Sequence, residues 1–145
     1  MNISEFLQLF KDGKVSAKSH MKNLLELAYV DGHFDDSENL LLNRLAKKHN
    51  ISEKQLEEIK RNPDAIKFEI PKKDIDRFEQ LYDLVAMMLA DEYIDTEEFK
   101  LCVIFAKKFG YKESSAHEIV DTIAGNLKHG QSSAETMKRV ELLFN

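Results

Sequence analysis

Two short acidic stretches hold the residues whose types and spacing could do chemistry. Asp31-Gly32-His33-Phe34-Asp35-Asp36-Ser37-Glu38 returns 60 positions later as Asp91-Glu92-Tyr93-Ile94-Asp95-Thr96-Glu97-Glu98. Asp31 falls on Asp91, Phe34 on Ile94, Asp35 on Asp95 and Glu38 on Glu98. Two explanations compete for these carboxylates. Asp35 with Glu38, and Asp95 with Glu98, have the D-x-x-E spacing of a capping box, in which each side chain takes up a free amide at a helix start. Asp31 and Asp91 are not explained this way, because each ends the preceding helix, where the dipole's negative pole disfavours an anion. If each turn folds back, Asp31 meets Asp35 and Glu38, and Asp91 meets Asp95 and Glu98. Three close carboxylates call for a cation, and oxygen-only ligands favour Ca²⁺, Mg²⁺ or Mn²⁺.

The first turn also matches the second half of an EF-hand loop. The first half is missing, since Leu27 and Tyr29 stand where acidic ligands belong, as do Met87 and Leu89 before the second turn. High-affinity EF-hand calcium sensing is not expected.

The elements that must position these turns are helices. The 60-residue correspondence extends outward, with Leu24 on Leu84, Leu41 on Leu101, Ala46-Lys47-Lys48 on Ala106-Lys107-Lys108 and Ile59 on Ile119. The repeat unit is therefore about 45 residues long. Ile3, Phe6, Leu7, Leu9 and Phe10 predict a short amphipathic helix ended by a turn at Asp12-Gly13, and Ser16 then caps a second helix that Gly32 stops. Asp35 opens a third, with Leu41, Leu42, Leu45 and Ala46 as its apolar stripe and Asn50 as its left-handed stop. Ser52 and Gln55 box a fourth, reaching about Arg61. A connector over 62–73 carries both prolines, with Ile66, Phe68 and Ile70 alternating as an extended strip on the core. Ile75 to Leu89 predicts a long helix, apolar all round in its second half and hence the buried centre. The helix after Asp95 closes at Gly110 and also reads as central; another runs from about Lys112 until Gly125 to Gly130 break it. A last amphipathic helix holds Met137, Val140, Leu143 and Phe144. The expected class is all-α: one domain of about eight helices in two pseudo-symmetric tandem halves, about 16–61 and 76–127, with terminal helices over 1–11 and 131–144.

An alanine or valine followed by Asp-Gly, an apolar residue, Asp, and Glu three further on, occurring twice between amphipathic helices, resembles the TerB-like family. That family includes tellurite-resistance proteins and the N-terminal region of DjlA-type membrane cochaperones. The resemblance covers roughly residues 16–127, and the second turn departs from it in having Glu92 where a glycine is frequent. It implies an all-helical bundle of two related halves, a role in stress or tellurite resistance, and a metal site at Asp31, Asp35, Glu38, Asp91, Asp95 and Glu98. The cochaperone activity does not carry over, because Asn62-Pro63-Asp64 lacks the histidine of a His-Pro-Asp motif.

Composition narrows the rest. The chain has 145 residues, 43% of them hydrophobic and 32% charged, with a formal charge of -5. That charge opposes a general nucleic-acid binder, which must neutralise phosphates with clustered Lys and Arg. The longest apolar run, 84–90, is far short of the roughly 20 residues a membrane span needs, and residues 1–10 have no basic stretch ahead of their apolar positions, so no secretory signal is expected. Cys102 is the single cysteine, with no partner for a disulfide or a zinc pair, and occupies the place of Leu42 in the repeat; it is expected to pack as a small apolar side chain in a reducing, cytoplasmic setting. His20, His49, His117 and His129 show no H-x-x-x-H spacing and are expected at the surface or in caps, while His33 lies within the first acidic turn. No phosphate loop or nucleophile elbow occurs. The expected function is a non-enzymatic domain binding a divalent cation, a protein partner, or both through its acidic turns. The alternatives are an interaction or homo-oligomerisation module working through its terminal helices, and a two-cation hydrolase using all six carboxylates.

Overall fold

Asn2 opens the first helix by accepting the Glu5 amide at 2.8 Å, and the helix, α1 (Ile3–Tyr29), then runs for 27 residues. The computed structural model describes residues 2–30, 32, 34–90 and 94–144, with the backbone alone given for 6–13. The expected turn at Asp12-Gly13 is absent, so the separate terminal helix over 1–11 is corrected: it is the first part of α1. Glycine inside a helix costs about 1 kcal/mol, but it forces no break. Ser16, expected as a cap, instead lies within α1, and its Oγ accepts a hydrogen bond from Gln80 Nε2 at 3.0 Å. Met21, Leu24, Leu27 and Ala28 form the buried face.

α2 (Asp36–Lys48) and α3 (Glu53–Arg61) follow with the expected caps. The Gln55 amide donates to Ser52 Oγ at 3.1 Å while the Ser52 amide donates back to Gln55 Oε1 at 2.9 Å. Between the two helices Asn50 takes φ +60, and the Ile51 amide reaches back to the Ala46 carbonyl at 2.8 Å, the six-to-one bond of a Schellman stop. Residues Pro63–Ala65 form one 3-10 turn, and the connector beyond it is pinned by side chains. Lys22 Nζ donates to the Ile66 carbonyl at 2.7 Å, and the Glu69 amide donates to Ser19 Oγ at 2.9 Å. Ile66 and Phe68 pack on the core as expected, whereas Ile70 faces solvent.

α4 (Asp74–Met88) packs against α1, α2, α5, α6 and α7 and is the centre of the bundle. Phe78, Leu81, Leu84, Val85, Met87 and Met88 are all buried. α5 (Thr96–Lys108) is less central than its composition predicts: Cys102, Phe105 and Ala106 are buried, but Ile104 is exposed and Phe99, Leu101 and Val103 are only partly covered. Its apolar residues exceed the one face that α1, α4 and α6 cover. Gly110 stops it at φ +100, and the Tyr111 amide bonds the Ala106 carbonyl at 3.1 Å, 60 residues after the same bond at the end of α2. α6 (Glu113–Lys128) runs straight through Gly125, where a break was expected, and ends only at Gly130. α7 (Ser133–Phe144) is opened by Ser132 and Glu135, each accepting the other's amide at 3.1 Å.

The described residues thus form seven α-helices and one 3-10 turn, with no strand. α5 starts and ends 60 residues after α2, and α6 starts 60 residues after α3. No described helix is long and apolar enough to cross a membrane.

Candidate functional sites

Of the six carboxylates assigned to the acidic turns, Asp35, Glu38, Asp95 and Glu98 are described, while Asp31 and Asp91 lie outside the described residues, as do His33 and Glu92. Asp35 accepts the Glu38 amide at 2.9 Å and the Ser37 hydroxyl at 2.8 Å, and its own amide donates to Glu38 Oε1 at 3.4 Å. This is the expected capping box. The Glu38 amide and the Ser37 hydroxyl hold the Asp35 carboxyl below the usual carboxylate range. Asp95 accepts the amides of Glu97 and Glu98 at 2.9 and 3.1 Å, which is the forward arm of the second box. Glu38 and Glu98 share an environment: each stands at the third position of its helix and each is only 2% exposed. Carboxylates are rarely buried this deeply. The positive pole of the helix on which each sits partly offsets that burial.

A second cluster joins three elements that are far apart in the chain. His20 on α1, His49 at the C-terminal cap of α2 and Asp83 on α4 each offer one ligand-type atom, and all three atoms lie within 4.8 Å of one another. His20 Nε2 is 2.9 Å from Asp83 Oδ2, and His49 Nε2 is 3.4 Å from the same oxygen. An ionised carboxylate only accepts, so both imidazoles present an Nε2–H to it. The rings meet edge to face with centroids 5.0 Å apart, and Lys48 Nζ lies 3.8 Å from Asp83 Oδ1. His20 is wholly buried, and its Nδ1 has no hydrogen-bond partner among the described residues. Burial is the largest influence on His20 and outweighs Asp83, holding its pKa below the ordinary 6.5. Burial alone would push Asp83 up, but the hydrogen bonds from His20 and His49, with the charge of Lys48, hold it well below the usual carboxylate range. The group is a buried anion fed by two imidazole N–H donors. The described hydrogen bond of His20 goes to the Asp83 carboxylate.

The expectation that each histidine sits at the surface or in a cap is corrected for His20. It fits His49 and His129, which cap α2 and α6, and His117, which is exposed against Phe99. Spacing rules fail for His20 because its partners come from other helices. Two signals were nonetheless present: His20 falls between Ala17, Met21 and Leu24 on the core face of α1, and Asp83 is the one charged residue between Leu81 and Ala90. Cys102 is buried in the core, as its alignment with Leu42 predicts, and burial pushes its thiol well above the ordinary range.

Comparison of the chain with protein-family models, with curated proteins and with solved structures found no significant match. The class that fold and sites define is an all-helical bundle with two acidic helix starts and a buried His–Asp–His group. The TerB-like resemblance rests on the paired acidic motifs alone.

Proposed function

We propose that this chain is a non-enzymatic, TerB-like helical domain of two tandem halves, which holds a divalent cation on its acidic turns and presents the loaded turns to a protein partner. The observation that supports this reading is the matched burial of Glu38 and Glu98, 60 residues apart, each directly after a turn rich in carboxylates. Capping accounts for Asp35 and Asp95, since an aspartate at the cap position needs no burial. The capping box uses one oxygen of Glu38, but capping by itself does not require the third-position glutamate to be buried in both helices. A hard cation held jointly by Asp31, Asp35 and Glu38, and by Asp91, Asp95 and Glu98, supplies a reason for that burial, and the oxygen donors select Ca²⁺, Mg²⁺ or Mn²⁺. The setting we propose is cytoplasmic and stress-related, following the family the motifs resemble.

The test is calorimetric titration of chelator-treated protein with these three cations, beside an Asp31→Asn, Asp91→Asn double variant. Saturable binding that the double variant loses is the expected result. Absence of binding at millimolar cation would leave the turns as helix caps. A second reading, an interaction or self-association module, is favoured by α7, where Leu142 and Leu143 both face solvent.

A further inference from the structure

We propose that His20, His49 and Asp83 form a separate binding site for a borderline transition-metal ion of the Zn²⁺ or Co²⁺ type, entered from the His49 side. The donor set is two imidazole nitrogens and one carboxylate oxygen, which suits these ions and not the Ca²⁺ or Mg²⁺ expected on the acidic turns. The spacing is close to what such an ion needs. Bonds of about 2.0–2.1 Å in a tetrahedral site place neighbouring ligand atoms about 3.3 Å apart. Asp83 Oδ2 already stands 2.9 Å from His20 Nε2 and 3.4 Å from His49 Nε2. The third edge, between the two imidazoles, lies within the 4.8 Å that bounds the cluster.

The three ligands divide their work. His20 and Asp83 are fixed by burial on α1 and α4, so they form the rigid half of the site. His49 follows the last turn of α2, and its side chain is 21% exposed, so a modest ring movement closes the third edge and leaves a face toward water for a fourth ligand. In the metal-free protein the two Nε2–H groups satisfy Asp83. On binding, each neutral imidazole moves its single proton from Nε2 to Nδ1 through solvent, which frees the Nε2 lone pair for the ion and releases no net proton. The His20 Nδ1 has no acceptor among the described residues, and this weakens the site about ten- to a hundredfold relative to one with that partner in place.

Charge supplies an independent signature. One carboxylate and two neutral imidazoles leave a bound divalent ion with a net positive charge beside the Lys48 ammonium, which neighbours Asp83 Oδ1 at 3.8 Å and is half-exposed. Metal and ammonium compete for the same anion. Removing the ammonium by Lys48→Gln therefore strengthens metal binding, an effect a purely structural hydrogen-bond network would not produce.

The experiment is titration of the full, chelator-treated chain with Co²⁺ and Zn²⁺, followed by calorimetry and by the visible absorption of low-symmetry Co²⁺. His49→Ala is the ligand variant because His49 is the least buried of the three, and circular dichroism checks that it folds. The expected result is one saturable equivalent, binding about tenfold or more weaker in His49→Ala, several-fold tighter in Lys48→Gln, and unchanged in the Asp31→Asn, Asp91→Asn variant. Wild-type protein with no saturable binding, or a folded His49→Ala that binds as tightly, overturns the proposal. So does Zn²⁺ binding that only the Asp31→Asn, Asp91→Asn variant loses, which would assign the ion to the acidic turns.

Discussion

Asp83 carries a negative charge within the bundle, and what makes that tolerable is the set of donors around it. His20 and His49 each give it an N–H, and Lys48 adds a charge from the rim. Truncating the anion leaves His20 Nε2–H buried without an acceptor, so Asp83→Ala is expected to cost about 3 kcal/mol in urea unfolding. The group also sets a pH response. Burial holds His20 below its ordinary 6.5, so the unfolded chain binds that proton more readily than the folded one. Its contribution to stability is complete above about pH 6.5 and falls as the pH drops below it, by at most about 1.4 kcal/mol per pH unit for one proton. Asp83, held below the ordinary 3.8, acts in the same direction at lower pH. Urea midpoints measured from about pH 8 to 5 should stay level and then decline, and His20→Gln should remove the decline that begins near 6.5. Residue-scale reading of the sequence found the caps, because Asp35 and Ser52 meet partners three positions away. It missed His20, whose partner is 63 positions away on another helix.

Glycine and capping decide where the helices stop. The sequence suggested breaks at Asp12-Gly13 and from Gly125 onward, and the chain stops at neither Gly13 nor Gly125. It does stop at Gly130. The difference lies downstream of each glycine. After Gly130 come Ser132 and Glu135, which cap one another's amides, and the Gln131 amide reaches the Asn126 carbonyl at 3.0 Å. Ser16 has Ser19 three residues on, not Glu or Gln, so no capping box rewards a new helix start there. Two substitutions separate the roles. Gly125→Ala places its methyl in open space within a helix and should stabilise the protein by about 1 kcal/mol. Gly130→Ala has equal room but must hold φ +74, and should destabilise it by about 1 kcal/mol. Thermal melts of the pair should move in opposite directions.

For the molecule as a whole, the all-helical class was legible because apolar spacing and capping boxes are local signals, which in the sequence recur at a 60-residue offset. The starts of α5 and α6, 60 residues after those of α2 and α3, follow that offset. Which helix would carry the centre was also legible, since α4 is apolar on all sides over its second half. The meeting of α1, α2 and α4 at one buried anion was not, because it depends on how helices stack across the chain. At this scale belongs a test of the surface: Leu142 and Leu143 are exposed on α7 and contribute little to the core, so Leu142→Glu with Leu143→Gln should leave the melting temperature nearly unchanged. If the chain self-associates, light scattering after size exclusion should show the variant with the smaller mass.

Cys102 gives the protein an internal clock. Its thiol lies inside the bundle on α5, and the reactive thiolate is suppressed there by burial and by the charge of Glu98. A disulfide reagent can reach it only through molecules that have opened. At low reagent concentration the labelling rate then reports how rarely the chain is open, and at high concentration it levels off at the rate of opening itself. With no other cysteine to confuse the signal, one chromophoric reagent yields both the equilibrium and the kinetics of opening around the central helices, without denaturant.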